Sequence, residues 1–234
     1  MQIIDDLKKM GSPKKAALSA RFFKTAPGQY GHGDVFLGLT NPEQKVIANK
    51  HKDASFTELK ILINHQIHEC RLTALFILVG KFNRGDEKEK KIVVDFFMKN
   101  KSQVNNWDLV DSSAHQILGK WLDNRDRKIL YKLAASKSLW DRRIAIVSTY
   151  HFIRNNDFAD TLKISELLLK DSHDLMHKAV GWMLREVGKR DEKVLCNFLD
   201  RHVAMMPRTA LRYSIERFSL EERNKYLGVK RKIN

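Results

Sequence analysis

The residues with most to offer chemically lie in Val104–Leu122 (VNNWDLVDSSAHQILGKWL). Asn105 and Asn106 suit a helix N-cap, and Asp108 then falls in the first turn, where the helix dipole favours a carboxylate. That structural need accounts for Asp108. Asp111 is different. Trp107, Asp111, Ala114, Leu118 and Trp121 follow one another at steps of 4, 3, 4 and 3, which puts Asp111 inside an apolar stripe beside an indole. No Lys or Arg stands three or four positions from it. A carboxylate on such a face either meets a tertiary partner or lines a cleft, and spacing leaves both open.

A second spot is Lys178–Gly188 (KAVGWMLREVG), where Trp182 and Arg185 share a helix face and Lys178 lies one turn earlier. An indole flanked by cations suits contact with nucleic acid, and the same spacing suits a core Trp with two solvated neighbours. The third is Trp140–Ile146 (WDRRIAI), with Arg142 and Arg143 beside an apolar stripe, a weak signal by itself. Other chemistries find less support. His65, His68, Glu69 and Cys70 crowd together, but HExxH and a second ligand cluster are absent, so no metal is expected. Gly28, Gly31, Gly33 and Gly38 fall in Pro27–Leu39, yet no Gly-Lys-Ser/Thr follows, and a flexible connector explains the loop better than a phosphate cradle. There is no GxSxG elbow, no zinc-deaminase signature and no sign of a redox cofactor; none of any kind is expected.

The elements that must position these residues read as helices. In Glu69–Phe82, Leu72, Leu75, Phe76, Val79 and Phe82 lie on one helical face. The pattern returns in Trp107–Leu122, Trp140–Ile153, Leu175–Val187 and Pro207–Phe218, and each stretch is followed by a polar break and a second apolar segment, such as Lys91–Met98, Lys128–Leu133, Ile164–Leu169 and Val194–Leu199. Ala74, Ala114, Ala145 and Gly181 sit inside the longer helices at separations of 40, 31 and 36, near the period of a two-helix repeat. Helix pairs of this kind cannot bury their faces alone and stack into a solenoid. With only 11 Gly and 4 Pro the turns of a sandwich or barrel are excluded. The expectation is one all-α domain over 1–234. Residues 1–60 form a helical cap continuous with the array, with the Gly-rich loop between helices near Lys14–Lys24 and Pro42–His51.

Charge points to the partner. The chain carries 43 Lys and Arg against 28 Asp and Glu, a formal net charge of +15 over 234 residues. Residues 1–60 contribute +4 and residues 208–232 contribute +5, so the excess is spread and belongs to a folded face that attracts polyanions. The apolar runs are too short to span a membrane, and the start, MQIIDDLKKMGSPKK, lacks the apolar stretch of a secretory signal. Two cysteines, Cys70 and Cys196, stand far apart without CxxC spacing, which suits the reducing cytoplasm.

Taken together, NNWDLVD (Asn105–Asp111), LWDRRIAI (Leu139–Ile146), KAVGWMLREVGK (Lys178–Lys189) and MPRTALRYSIERF (Met206–Phe218) resemble the AlkD-type DNA alkylation repair family. GDVFLGLTNP (Gly33–Pro42) and HECRLTALFIL (His68–Leu78) resemble it too, so the likeness runs in order over nearly the whole chain. It implies a HEAT-like helical-repeat solenoid with a concave basic groove. It also implies a monomeric glycosylase that removes positively charged alkylpurines, 3-methyladenine and 7-methylguanine, from duplex DNA with the damaged base still stacked. By motif, Asp111 matches the catalytic aspartate, Trp107 and Trp182 the aromatic residues at the lesion, and Arg143 an active-site DNA contact. Arg185 and Lys178 match basic positions on the DNA-facing side. Asn106 stands where some members have a second Trp. A noncatalytic module that binds DNA structures and a protein-binding helical scaffold are the alternatives.

Overall fold

Helices account for every regular element among the described residues, 1–230 of this computed structural model. In chain order they are α1 (Gln2–Lys9), α2 (Pro13–Phe22), α3 (Asn41–Lys50), α4 (Phe56–Ile63), α5 (His68–Arg84) and α6 (Glu87–Lys99), then a 3₁₀ turn at Lys101–Gln103. Next come α7 (Trp107–Ala114), a π-helical turn at His115–Gly119, α8 (Lys128–Ala134), α9 (Leu139–Ser148) and α10 (Tyr150–Arg154). The last five are α11 (Ala159–Leu168), α12 (Asp174–Gly188), α13 (Glu192–His202), α14 (Arg208–Ser214) and α15 (Leu220–Gly228). Capping boxes at Thr40/Glu43, Ser55/Glu58, Asp86/Glu89 and Ser219/Glu222 satisfy backbone donors that the first turn leaves open. One parallel bridge, Val35 with Ile67, is the sole β-feature among the described residues. No helix among them is long and apolar enough to cross a membrane. Arg231 and Lys232, part of the basic stretch counted above, lie outside the described residues.

The chain forms two compact units, Met1–Ser113 and the part from Ala114 onward. In the first, α3, α4 and α6 pack on α5. Leu72, Leu75, Val79 and Phe82 of α5 are buried as the periodicity predicts, and Phe76 at the edge of the stripe is half-buried. In the second unit, α12 is the central element, against α9, α11, α13 and above all α14. Gly181 makes that last contact possible: a Cβ there would lie 2.5 Å from the Ala210 carbonyl oxygen. A backbone oxygen in a packed helix cannot move aside, so the α12–α14 approach requires glycine.

Several elements depart from the sequence reading, among them α1 and α15, which correspond to no helical segment singled out in it. The helix expected over Trp107–Leu122 runs regularly only to Ala114 and then widens into the π-turn. The extra residue per turn breaks the 4, 3, 4, 3 stripe, so Leu118 and Trp121 no longer continue the face of Trp107 and Asp111. The helix expected over Trp140–Ile153 divides at Thr149. There the Ser148 hydroxyl donates to the Ile144 carbonyl and the Thr149 hydroxyl to that of Ile146, each at 2.7 Å, in competition with the backbone ladder. Helix α4 was not anticipated, although its signal, Ser-x-x-Glu at Ser55–Glu58 before an apolar run, stands in the sequence.

Candidate catalytic and nucleic-acid site

Helix α7 carries Trp107 at its first position and Asp111 one turn later, and both side chains are half-buried. The two asparagines expected as caps do not reach the second or third amide of α7: Asn105 Oδ1 finds no hydrogen-bond partner among the described residues, and Asn106 Oδ1 bonds only the next residue. The Asn106 carboxamide oxygen accepts from the Trp107 amide at 2.8 Å, and one Asp108 oxygen accepts from the Leu109 amide at 2.8 Å. Asp108 also has a tertiary partner that no local rule reveals. Its other oxygen lies 2.7 Å from His68 Nε2, at the start of α5.

His68 is the centre of a buried polar cluster. Its Nδ1 lies 3.1 Å from Asp34, whose other oxygen accepts from Arg71 Nη2 at 2.7 Å. Asn106 Nδ2 donates to the same Asp34 at 3.4 Å. Ionised carboxylates only accept, so both ring nitrogens donate and His68 is an imidazolium. Burial opposes that charge, but Asp108 and the hydrogen bonds to both carboxylates outweigh it and raise the His68 pKa to about 9. Burial likewise works against the Asp34 charge, yet the His68 hydrogen bond and the Arg71 guanidinium hold that carboxyl below its ordinary range.

Asp34 reaches His68 because the Gly-rich loop is held in place. Val35 pairs with the chain at Gln66 and His68, and the Glu69 carboxylate accepts from the amides of Leu37, Gly38 and Leu39 at 2.8–3.3 Å. Gly38 sits at φ +83°, a conformation open to glycine. The segment expected as a connector is thus a built wall of the first unit. It presents Phe36, which stacks on Phe23 from the end of α2, ring centroids 5.0 Å apart. Phe23 then stacks on Trp107 at 5.2 Å and 19°, and Phe22 meets Trp107 edge-on at 5.8 Å. The residues that looked like a metal cluster are spent otherwise: His68 on two aspartates, Glu69 on amides, and His65 Nδ1 on the Ile67 amide at 3.0 Å.

In the second unit Trp182 is half-buried on α12, 5.8 Å from the Tyr150 ring, which in turn meets His115 of the π-turn at 5.3 Å. Tyr150 carried no motif and was missed. Lys178 pairs with Asp174 at 2.8 Å, one turn back on the same helix. Arg185 pairs with Glu216 and, at 3.5 Å, with Glu186. Arg143 is 5% exposed, and its Nη1 donates to the Leu175 carbonyl at 2.6 Å, so it ties α9 to the start of α12. Its neighbour Arg142 forks onto Asp171, at 2.5 and 3.4 Å. Exposed i,i+4 pairs such as Lys178–Asp174 stabilise by only about 0.3–0.5 kcal/mol.

The family described as DNA alkylation repair enzyme matches residues 3–218 of this chain. Among solved structures, the one described as a predicted DNA alkylation repair enzyme from Enterococcus faecalis is similar in fold. Its TM-score is 0.69 at 18% identity, with 90% of this chain and 97% of that one covered. No curated protein matches the chain.

Proposed function

We propose that this chain, which belongs to the family of DNA alkylation repair enzymes, is a monomeric DNA glycosylase that excises 3-methyladenine and 7-methylguanine from duplex DNA. Breaking the bond between C1′ and the purine nitrogen builds positive charge on the deoxyribose. The methylated purine already carries a positive charge, so the bond's electron pair neutralises it and the base departs without a general acid. Water adds to C1′ and gives up a proton, leaving an abasic site for the later steps of base excision repair. One carboxylate suffices for this chemistry: it stabilises the sugar cation and orients the water. Asp111 takes that role. Trp107 and Trp182 each offer an indole face to a cationic nucleotide. Arg185 and Lys178 supply donors for phosphate oxygens, while Arg143, expected as a DNA contact, is 5% exposed and holds α9 to the start of α12.

The observation that carries this reading is Asp111 one turn from Trp107 on α7, both half-buried, so a carboxylate and an indole open together on one helix face. The test is chromatography of the bases freed from a duplex methylated with dimethyl sulfate. The expected result is enzyme-dependent release of free 3-methyladenine and 7-methylguanine. Tight DNA binding with no release above the uncatalysed rate would make the chain a noncatalytic DNA-binding protein instead.

A further inference from the structure

The His68 cluster lies outside the residues assigned to the reaction, yet it holds the helix that carries two of them. His68 is 2% exposed, Arg71 3% and Asp108 7%, so the ionised groups are out of water. Burying four charged groups is an inefficient way to gain stability, because well-packed apolar residues of similar volume usually do as well or better. What such a cluster does provide is directional constraint. The imidazolium joins three segments: the loop at Asp34, the start of α5 and the first turn of α7. A second path runs through rings, with Phe36 4.7 Å and Phe23 5.0 Å from His68, and Phe23 stacked on Trp107.

We infer that His68 is a positioning residue for excision: clamped between Asp34 and Asp108, it fixes the first turn of α7 and so the placement of Trp107 and Asp111. This rests on the reading of α7 as the catalytic helix. The charged groups that face His68 are Asp34 from the loop, Asp108 from α7 and Arg71 from its own helix, while Glu69 is turned to the Leu37–Leu39 amides. With His68 protonated, the two carboxylates and two cations balance. Loss of the ring proton leaves a net negative charge in a dry site and takes the donor from one carboxylate. The clamp between the loop and the first turn of α7 is then broken at one end.

The test is single-turnover excision of 7-methylguanine from duplex DNA between about pH 6.5 and 9.5, with uncatalysed loss subtracted, for the unaltered protein and His68→Gln. DNA affinity is measured alongside, and Trp107 emission is titrated on protein without DNA, with Trp107→Phe as the blank. In the unaltered protein the rate constant falls as pH rises past about 9, and Trp107 emission shifts with the same midpoint. At neutral pH His68→Gln lowers the rate constant about 10- to 100-fold, as a displacement of about an ångström would, leaves DNA affinity near its original value and abolishes the alkaline fall. His68→Gln with unaltered rate and pH profile would overturn the inference, as would Trp107 emission indifferent to pH. The emission titration needs no His68 variant, so a variant that fails to fold does not remove the test. If no alkylpurine is released at any pH, the glycosylase reading fails, and the emission titration alone decides whether His68 places Trp107.

Discussion

At the residue scale, His68 and Asp34 show opposite forms of one linkage. The folded pKa of His68, about 9, stands above the ordinary value of 6.5. Its contribution to stability is therefore complete below about pH 6.5 and is lost as pH rises through about 9; a shift of this size is worth roughly 3 kcal/mol. Asp34, held below its ordinary pKa, contributes above that ordinary value and loses its contribution as pH falls. Urea unfolding between about pH 6.5 and 9.5 should thus show a falling midpoint in the unaltered protein and a flat one in His68→Gln. An equal fall in both would assign the alkaline loss to other groups. The same cluster shows what the sequence could and could not reveal. Trp107 and Asp111 were legible because both stand on one helix, where spacing alone predicts a shared face. Asp108 was explained by its helix end, and its true partner was invisible, since 40 residues separate it from His68 and 34 separate His68 from Asp34. No periodicity links positions so far apart.

Elements were easier to read than their interruptions. Long amphipathic stretches such as α5 and α12 follow from apolar spacing. The break at Thr149 comes from competition for backbone carbonyls and the π-turn after α7 from a local change of helical period, neither of which apolar patterning registers. Gly181 was noticed as one of a spaced set of small residues, and its reason is the packing of α14 against α12. That yields a prediction with two opposed terms. Alanine in a helix interior gains about 1 kcal/mol over glycine in propensity. Here its Cβ would meet the Ala210 carbonyl oxygen and the Tyr213 Cβ, each at 2.5 Å, and overpacking of a rigid contact costs about 1–3 kcal/mol. The clash prevails because the obstacle is backbone. Gly181→Ala should lower the melting temperature, and a raised one would show that α14 shifts freely.

Across the whole molecule the dominant quantity is charge. A formal +15 on 234 residues, without a single segment that holds the excess, suits recognition led by phosphates rather than by base edges. A surface that neutralises about five phosphates gives a slope near −4.5 in a plot of log affinity against log salt. Titrations on two unrelated duplexes at several salt concentrations should give steep, nearly equal slopes. Affinity that ignores salt, or that differs widely between the duplexes, would contradict a phosphate-led surface.

The central claim is that the Asp111 carboxylate stabilises charge on the sugar, and Asp111→Asn tests it most directly, with single-turnover excision of 7-methylguanine and melting temperature read on one preparation. Asparagine keeps the shape and most of the hydrogen-bonding capacity but removes the negative charge that the transition state needs. With the carboxylate in that role, the variant keeps its fold and its DNA affinity and its rate constant falls by about 10²–10³-fold. A variant with full per-molecule excision and a lowered melting temperature would contradict it and make Asp111 a structural residue of α7.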